Sequence, residues 1–413
     1  MSRRVVITGI GGISALGDSW PSIKASLLAQ KNCVIRMDEW DRYPDLNTRL
    51  AAPVTDFVTP SHYPRKKIRS MGRVSLMATR ASELALEDAN LLEHPILTSG
   101  ETGVAYGSST GSTDPIVGFG DMLKTGNMTG LTATSYIRMM AHTTAVNIGV
   151  FFGLKGRIHT TSSACTSASQ GIGYAYEAIK YGHQTVMLAG GGEELCPTEA
   201  VVFDTLFATS TQNDTPALTP SPFDKHRDGL VIGEGACTLI LEELEHAKVR
   251  GAKIYAELVG FGTNSDGLHV TQPNAQTMEI AIRLALKDAQ LNANDIGYVN
   301  AHGTATDRGD VAETSATHAV FGSTMPISSL KSYTGHTLGA CGALEAWASI
   351  QMMNENWFAP TLNLTEIDPE CAPLDYIRGD IRTLETHYVM SNNFAFGGIN
   401  TSLIFKRWQE CAK

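Results

Sequence analysis

Leu84–Leu91 reads LALEDANL, and Leu284–Leu291 reads LALKDAQL. Each copy closes a helical pattern; in the first, Val74, Met77, Ala78, Ala81 and Ala85 recur at the spacing of one helix face. Each is followed by a short linker and a strand-like run: Thr102 to Tyr106 ending in GSSTG, and Gly297 to Ala301 ending in HGTAT. The same helix-then-strand signal met twice points to an internal duplication. Outward from the two copies, RVVITG at the start, VMLAGG near Val186 and CTLILEE near Cys237 alternate with helical segments, which predicts an α/β protein. No low-complexity linker separates the copies. The junction is placed where LEHAKVRGAK meets IYAELVGF, dividing the chain into residues 1–250 and 251–413 with one intimate interface between them.

The size fits this plan, because 413 residues exceed the roughly 250–300 at which a single core stops growing. Thirty-two basic and 42 acidic side chains leave a net charge of −10, which argues against a general nucleic-acid or anionic-membrane surface. The first apolar run meets glycine too early for a signal peptide, and no stretch approaches the roughly 20 apolar residues of a membrane span. The seven cysteines are scattered and form no CxxC pair, so they read as reduced thiols in a cytoplasmic protein with no metal site.

Three segments stand out chemically. The N-terminal GIGG follows a strand but lacks the third glycine of a dinucleotide fingerprint, Ser14 standing in its place, so it is expected to form a tight strand-to-loop turn. His159–Gly173, HTTSSACTSASQGIG, carries Cys165 into a helix whose buried face is Ala168, Ile172, Ala175 and Ile179. A cysteine at a helix N-terminus meets free N–H groups and the positive end of the dipole, so its thiol pKa is expected to fall below the reference of about 8.5. The third element is a pair of histidine segments, NAHGTATDRGD with His302 and SSLKSYTGHTLGACG with Lys331 and His336. Each histidine alone reads as a packed or solvated side chain. Cys165, His302 and His336 together, all in small-residue turns at element ends, are expected to converge.

With these segments in view, the sequence resembles the β-ketoacyl-acyl-carrier-protein synthases of the elongating Cys-His-His type, within the thiolase superfamily. The likeness runs from RVVITGIGGISALG to SNNFAFGGIN through SSACTSASQG, SPFDKHRDGLVIGEGA, AHGTATDRGD and KSYTGHTLGA, in family order. It implies a duplicated βαβαβαββ unit folded as a five-layered αβαβα sandwich. It also implies a decarboxylating Claisen condensation, in which Cys165 takes an acyl chain and malonyl carrier, losing CO₂, extends it by two carbons. The chain concerned is that of a fatty acid, polyene or polyketide. The substrates come on the phosphopantetheine arm of acyl carrier protein, and no cofactor is required.

The resemblance assigns roles residue by residue. His302 and His336 donate to the thioester oxygen of malonyl carrier, and Lys331 lies near them, paired with Glu345. The oxyanion hole is built from backbone N–H groups of Cys165 and Phe396, in a loop where the family has glycine and this chain has Ala395. Thr304 and Thr306 contact the pantetheine arm, Phe394 adjoins the substrate, and Thr110 stands at the end of the acyl pocket. Asp310 and Glu313 match acidic positions that either support the site or cap and solvate the helix DVAETSATHAV. Arg65, Lys66, Lys67 and Arg69, extended by Lys124, form a basic cluster where the family docks its acidic carrier. A homodimer, or a heterodimer with a chain-length-factor-like subunit, is implied as well. A thiolase needs a second cysteine near the C-terminal glycine loop, which NNFAFGGIN lacks, and the initiating synthases carry Asn where His336 stands. Partner subunits that only determine chain length have commonly lost the nucleophile, which this chain keeps.

Overall fold

The computed structural model describes residues 2–409, so Cys411 lies outside the described residues. The first half runs β1 (Val5–Ser14), α1 (Arg73–Asp88), β2 (Thr102–Gly107), α2 (Thr143–Phe152), β3 (Ile158–Thr160), α3 (Ser167–Lys180), β4 (Val186–Glu193) and β5 (Gly235–Glu243). The second half repeats that order with β6 (Ala256–Ser265), α4 (Ala275–Ala289), β7 (Tyr298–Asn300), α5 (Asp307–Phe321), β8 (Pro326–Ser328), α6 (Cys341–Glu355), β9 (Tyr388–Ala395) and β10 (Ile399–Arg407). The strands lie in the order β3-β2-β4-β5-β1 in one half and β8-β7-β9-β10-β6 in the other. In each half only the β5 or β10 strand runs against its neighbours. The two halves join edge to edge through antiparallel pairing of β1 with β6, Val5 opposite Leu258, so one sheet crosses the whole molecule.

The duplication extends to individual atoms. Asp88, inside the first LALEDANL, accepts from the Ile10 N–H of β1 at 2.9 Å; its counterpart Asp288 accepts from the Phe261 N–H of β6 at 3.2 Å. Each carboxylate ties the end of its helix to the first strand of its half. β1 skips Thr8 in its register with β5, and β6 skips Val259 in its register with β10, so the same bulge occurs at the same place.

The N-terminal GIGG is no turn. It lies within β1, where a Cβ on Gly9 or Gly11 would come within 2.3 to 2.4 Å of the Ala85 backbone. Gly260 and Gly262 of β6 meet Ala285 in the same way. Glycine serves here because the helix backbone packs directly on the strand, a close approach that any side chain would block. The apolar face Val74, Met77, Ala78, Ala81 and Ala85 is fully buried.

Helices α3 and α6 pack on each other and contact strands of both halves, forming the central layer. Both begin after a short 3₁₀ turn that opens on a residue with positive φ, Ala164 at 50° and Leu338 at 44°. These two matching turns bring the chemistry-bearing residues of the two halves together. No helix among the described residues is long and apolar enough to cross a membrane.

Candidate active site

Cys165 occupies the 3₁₀ turn Ala164–Thr166 that leads into α3 and is buried. From the other half, the loop after β7 carries His302, and the loop between the short helix Lys331–Thr334 and α6 carries His336. The His336 Nε2 lies 2.9 Å from the Cys165 Sγ, and the His302 and His336 rings meet edge to face at 5.2 Å. One donor atom from each of the three residues falls within 4.8 Å of the others, so a single small group between them touches all three. The convergence expected of these residues is present.

The protonation of the pair follows from its surroundings. Burial, reinforced by the Lys331 charge, holds both imidazoles well below the usual histidine range, so they are neutral at physiological pH. A neutral imidazole has one donor and one acceptor nitrogen. The His336 Nδ1 accepts from the Leu338 N–H at 3.3 Å, which leaves its proton on Nε2, facing the sulfur. The His302 Nδ1 faces the Asn393 Nδ2 at 3.4 Å, and Asn393 is itself oriented by donating to Glu345 at 2.8 Å. His302 therefore also presents an Nε2–H.

Cys165 departs from its expectation. Burial pushes its thiol up to about 12, despite the opposing Lys331 charge and the backbone N–H groups of Phe396 and Cys165 itself. A helix N-terminus supplies only a fraction of a charge, whereas removing a thiolate from water costs more than that returns. The resting nucleophile is a thiol. The same Phe396 and Cys165 N–H groups that face the sulfur are placed to receive an oxyanion.

Buried Lys331 pairs with Glu345 of α6. Burial opposes the ammonium, but the Glu345 carboxylate more than offsets it, and the lysine stays charged. Asp310 and Glu313 do not solvate their helix. Glu313 accepts from the His302 and Gly303 N–H groups at 2.7 Å each, and Asp310 accepts from Thr304, Ala305 and Phe223, all in buried surroundings. Burial raises their carboxyls, Asp310 to about 6 and Glu313 to about 8, while these N–H bonds pull the other way. The two side chains hold the His302 loop by its main chain.

A cavity of about 460 Å³ leads from the surface to Cys165, His302 and His336 and is walled by Thr304, Thr306 and Phe394. The Thr304 and Thr306 hydroxyls lie 2.9 Å apart, and the Phe394 ring stands 6.2 Å from His302. The Phe396 and Phe203 rings, tilted against each other with centroids 5.0 Å apart, also line the cavity. The Phe396 loop is tied to the next one by the Asp266 N–H to the Gly398 oxygen and the Gly397 N–H to the Val270 oxygen, both 2.7 Å. Ala395 ends β9 without strain, because the positive φ values in this loop belong to Gly397 (87°) and Gly398 (69°).

Thr110 lies apart from the open cavity, its hydroxyl bonded to Glu199 at 3.0 Å. Arg65, Lys66, Lys67 and Arg69 are on or beside the one-turn helix Arg65–Ile68, and Lys124 is on the exposed helix Asp114–Thr125. Lys67 is committed inward, donating to the Phe151 oxygen at 2.7 Å and lying over its ring. Sequence reasoning passed over Glu193, which accepts from the Ser109 and Gly339 N–H groups beneath the site, and Cys341, whose thiol donates to the Cys165 carbonyl at 3.2 Å. Cys341 sat within SSLKSYTGHTLGACG; Glu193, at the acidic end of an otherwise apolar strand, was the other available signal.

Sequence models of the family match over residues 2–247 (beta-ketoacyl synthase, N-terminal domain) and 255–365 (beta-ketoacyl synthase, C-terminal domain). The chain is 37% identical over 410 residues to 3-oxoacyl-[acyl-carrier-protein] synthase 1 of Haemophilus influenzae, covering 98% of this chain and 99% of that one. Among solved structures it is similar to a beta-ketoacyl synthase from Burkholderia phymatum, with 65% identity, a TM-score of 0.98 and coverage of 98% and 100%. It is also similar to the ishigamide ketosynthase/chain length factor, at 30% identity, a TM-score of 0.90 and coverage of 99% and 100%.

Proposed function

The chain belongs to the β-ketoacyl synthase family, and on that premise we propose how its residues divide the work of the condensation. The enzyme is an acyltransferase that joins an acyl thioester to malonyl-acyl carrier protein with loss of CO₂, lengthening the chain by two carbons. Both substrates ride on the phosphopantetheine arm of the carrier, and the reaction calls for no further cofactor.

In our reading residues 1–250 supply the nucleophile and residues 251–413 the two histidines. The pantetheine arm lies along Thr304 and Thr306. Cys165 attacks the acyl thioester, the oxyanion rests between the N–H groups of Cys165 and Phe396, and the Cys165 proton passes to the carrier sulfur, which leaves as the thiol. Malonyl carrier then enters beside Phe394. As CO₂ departs, negative charge moves to the thioester oxygen, where the Nε2–H groups of His302 and His336 receive it. The enolate carbon attacks the acyl-cysteine carbonyl, and the Cys165 sulfur leaves and takes up a proton from water, which restores the thiol. Lys331 with Glu345, and Asp310 with Glu313, hold the two histidine loops in place.

The observation that carries this reading is the 2.9 Å approach of His336 Nε2 to Cys165 Sγ with His302 aimed at the same point. A non-decarboxylating thiolase is disfavoured because the loop Phe394–Gly398 contains no cysteine. Incubation with a panel of acyl carriers and malonyl carrier, followed by weighing of the products, tests the reaction. A two-carbon extension matched by released CO₂ is expected, and extension without CO₂ would refute it.

Carrier docking is assigned to Arg65, Lys66 and Arg69, with Lys124 extending the patch and Lys67 bracing its base. A second subunit is assigned to the face formed by helices Asp114–Thr125 and Ala133–Met139, which bury no side chain and expose Ile116, Val117, Leu123 and Tyr136. That subunit is a second copy of this chain or, given the likeness to a ketosynthase/chain length factor, a related partner on which activity depends. The free cysteines among the described residues suit a reducing compartment, and we place the enzyme in the cytoplasm.

A further inference from the structure

Glu199 is 4% exposed, and its Oε2 has no hydrogen-bond partner; it is the one carboxylate oxygen in that condition among the buried side-chain atoms of the described residues. A buried polar atom left without a partner is costly, so its presence asks for a purpose.

Its position suggests one. Glu199 and Phe203 are four residues apart on the helix Pro197–Asp204 and share a face. Phe203 lines the catalytic cavity with its ring tilted against Phe396, whereas Glu199 lies one turn nearer the start of the helix, outside the residues that line the cavity. Ala200 and Phe203 of the same helix pack in the apolar cluster that contains Cys165. The Glu199 Oε1 accepts from the Thr110 hydroxyl at 3.0 Å. Burial, with Glu193 close by, pushes the Glu199 carboxyl well above the ordinary range, which favours the acid. With Oε1 accepting, the acid proton falls on Oε2, a donor with nothing to donate to.

We propose that Glu199, braced by Thr110, is a specificity-determining residue that recognises an oxygen function, hydroxyl or carbonyl, near the far end of the acyl chain. The inference rests on the condensing reading above and names its substrate class. An acyl chain on Cys165 that displaces the Phe396 ring runs past Phe203 toward Glu199. A plain hydrocarbon end would leave the carboxyl unpaired, whereas an oxygen there accepts its proton. Sites built to hydrogen-bond a substrate oxygen discriminate strongly against analogues that lack it.

The test compares carriers bearing octanoyl and 8-hydroxyoctanoyl chains, equal in backbone length, over a short series of lengths in each class. The wild-type enzyme is expected to favour the hydroxylated member by tenfold or more in kcat/KM at its best length. Glu199→Leu should abolish or reverse that ratio, and Glu199→Gln, which keeps size and a donor, should retain most of it. Equal use of both chains by the wild type, or an unchanged ratio in Glu199→Leu, would overturn the proposal. So would loss of the oligomer in Glu199→Leu with the chain preference intact, since the missing partner would then be another subunit. Malonyl-carrier decarboxylation, measured on the same preparations, reads the condensing function independently; its presence beside equal use of both chains would reject Glu199 alone.

Discussion

The imidazole of His336 donates from Nε2 toward the Sγ of Cys165 across 2.9 Å, and it does so as a neutral ring. Nucleophile and donor come from opposite halves of a duplicated chain. Neither half has a complete site by itself.

Because burial lifts the Cys165 thiol to about 12, its thiolate is scarce throughout the accessible pH range. Iodoacetamide labelling of Cys165, followed by mass spectrometry, is expected to accelerate about tenfold per pH unit from 7 to 10 without levelling, since only the thiolate reacts. A plateau near the ordinary cysteine value of about 8.5 would show that the helix N-terminus outweighs burial. Acyl carrier should acylate the same residue, and an adduct at Cys341 or Cys196 instead would reassign the nucleophile.

Glu313 pairs the His302 and Gly303 N–H groups. Glu313→Ala strands both, at about 1–3 kcal/mol each, and should lower stability in urea unfolding while impairing decarboxylation. Glu313→Gln keeps one acceptor and should recover part of both losses. An alanine variant with unchanged stability would show that water replaces the carboxylate.

The basic patch divides by burial. Arg65→Glu with Lys66→Glu should weaken carrier binding, an effect that shrinks in the wild type as salt rises, because the Debye length falls to about 3 Å at 1 M. Activity on a small-molecule thioester should survive. Lys67→Ala, which removes the contact with Phe151, should show its effect in melting temperature rather than in carrier KM. Unaltered carrier affinity in the double variant would place docking elsewhere.

The echo LALEDANL and LALKDAQL was enough to expose the duplication, because α1 and α4 each pack on a glycine-bearing strand and that packing constrains alanine at the same places. The converging residues were legible for a similar reason: Cys165, His302 and His336 all stand in small-residue turns at element ends. Three features were not. The role of GIGG depends on Ala85, distant in sequence, so its close approach could not be told from a turn. The Cys165 ionisation depends on the balance of burial against dipole, and burial is a property of the whole fold. Glu199 lies in a helix with no periodic signal, and its meaning comes only from Thr110 and from the oxygen left without a partner.

The central claim is that the two half-reactions use different groups: His302 and His336 for decarboxylation, Cys165 for acyl transfer. Released CO₂ and acyl-enzyme, measured separately in His302→Ala, His336→Ala and Cys165→Gln, test it most directly. Each histidine variant is expected to lose about 10²–10³ in malonyl-carrier decarboxylation, the cost of one oxyanion donor, while some acylation of Cys165 persists. Cys165→Gln should keep releasing CO₂ and make no elongated product. Full decarboxylation in both histidine variants would contradict the account and reopen a thiolase-like mechanism.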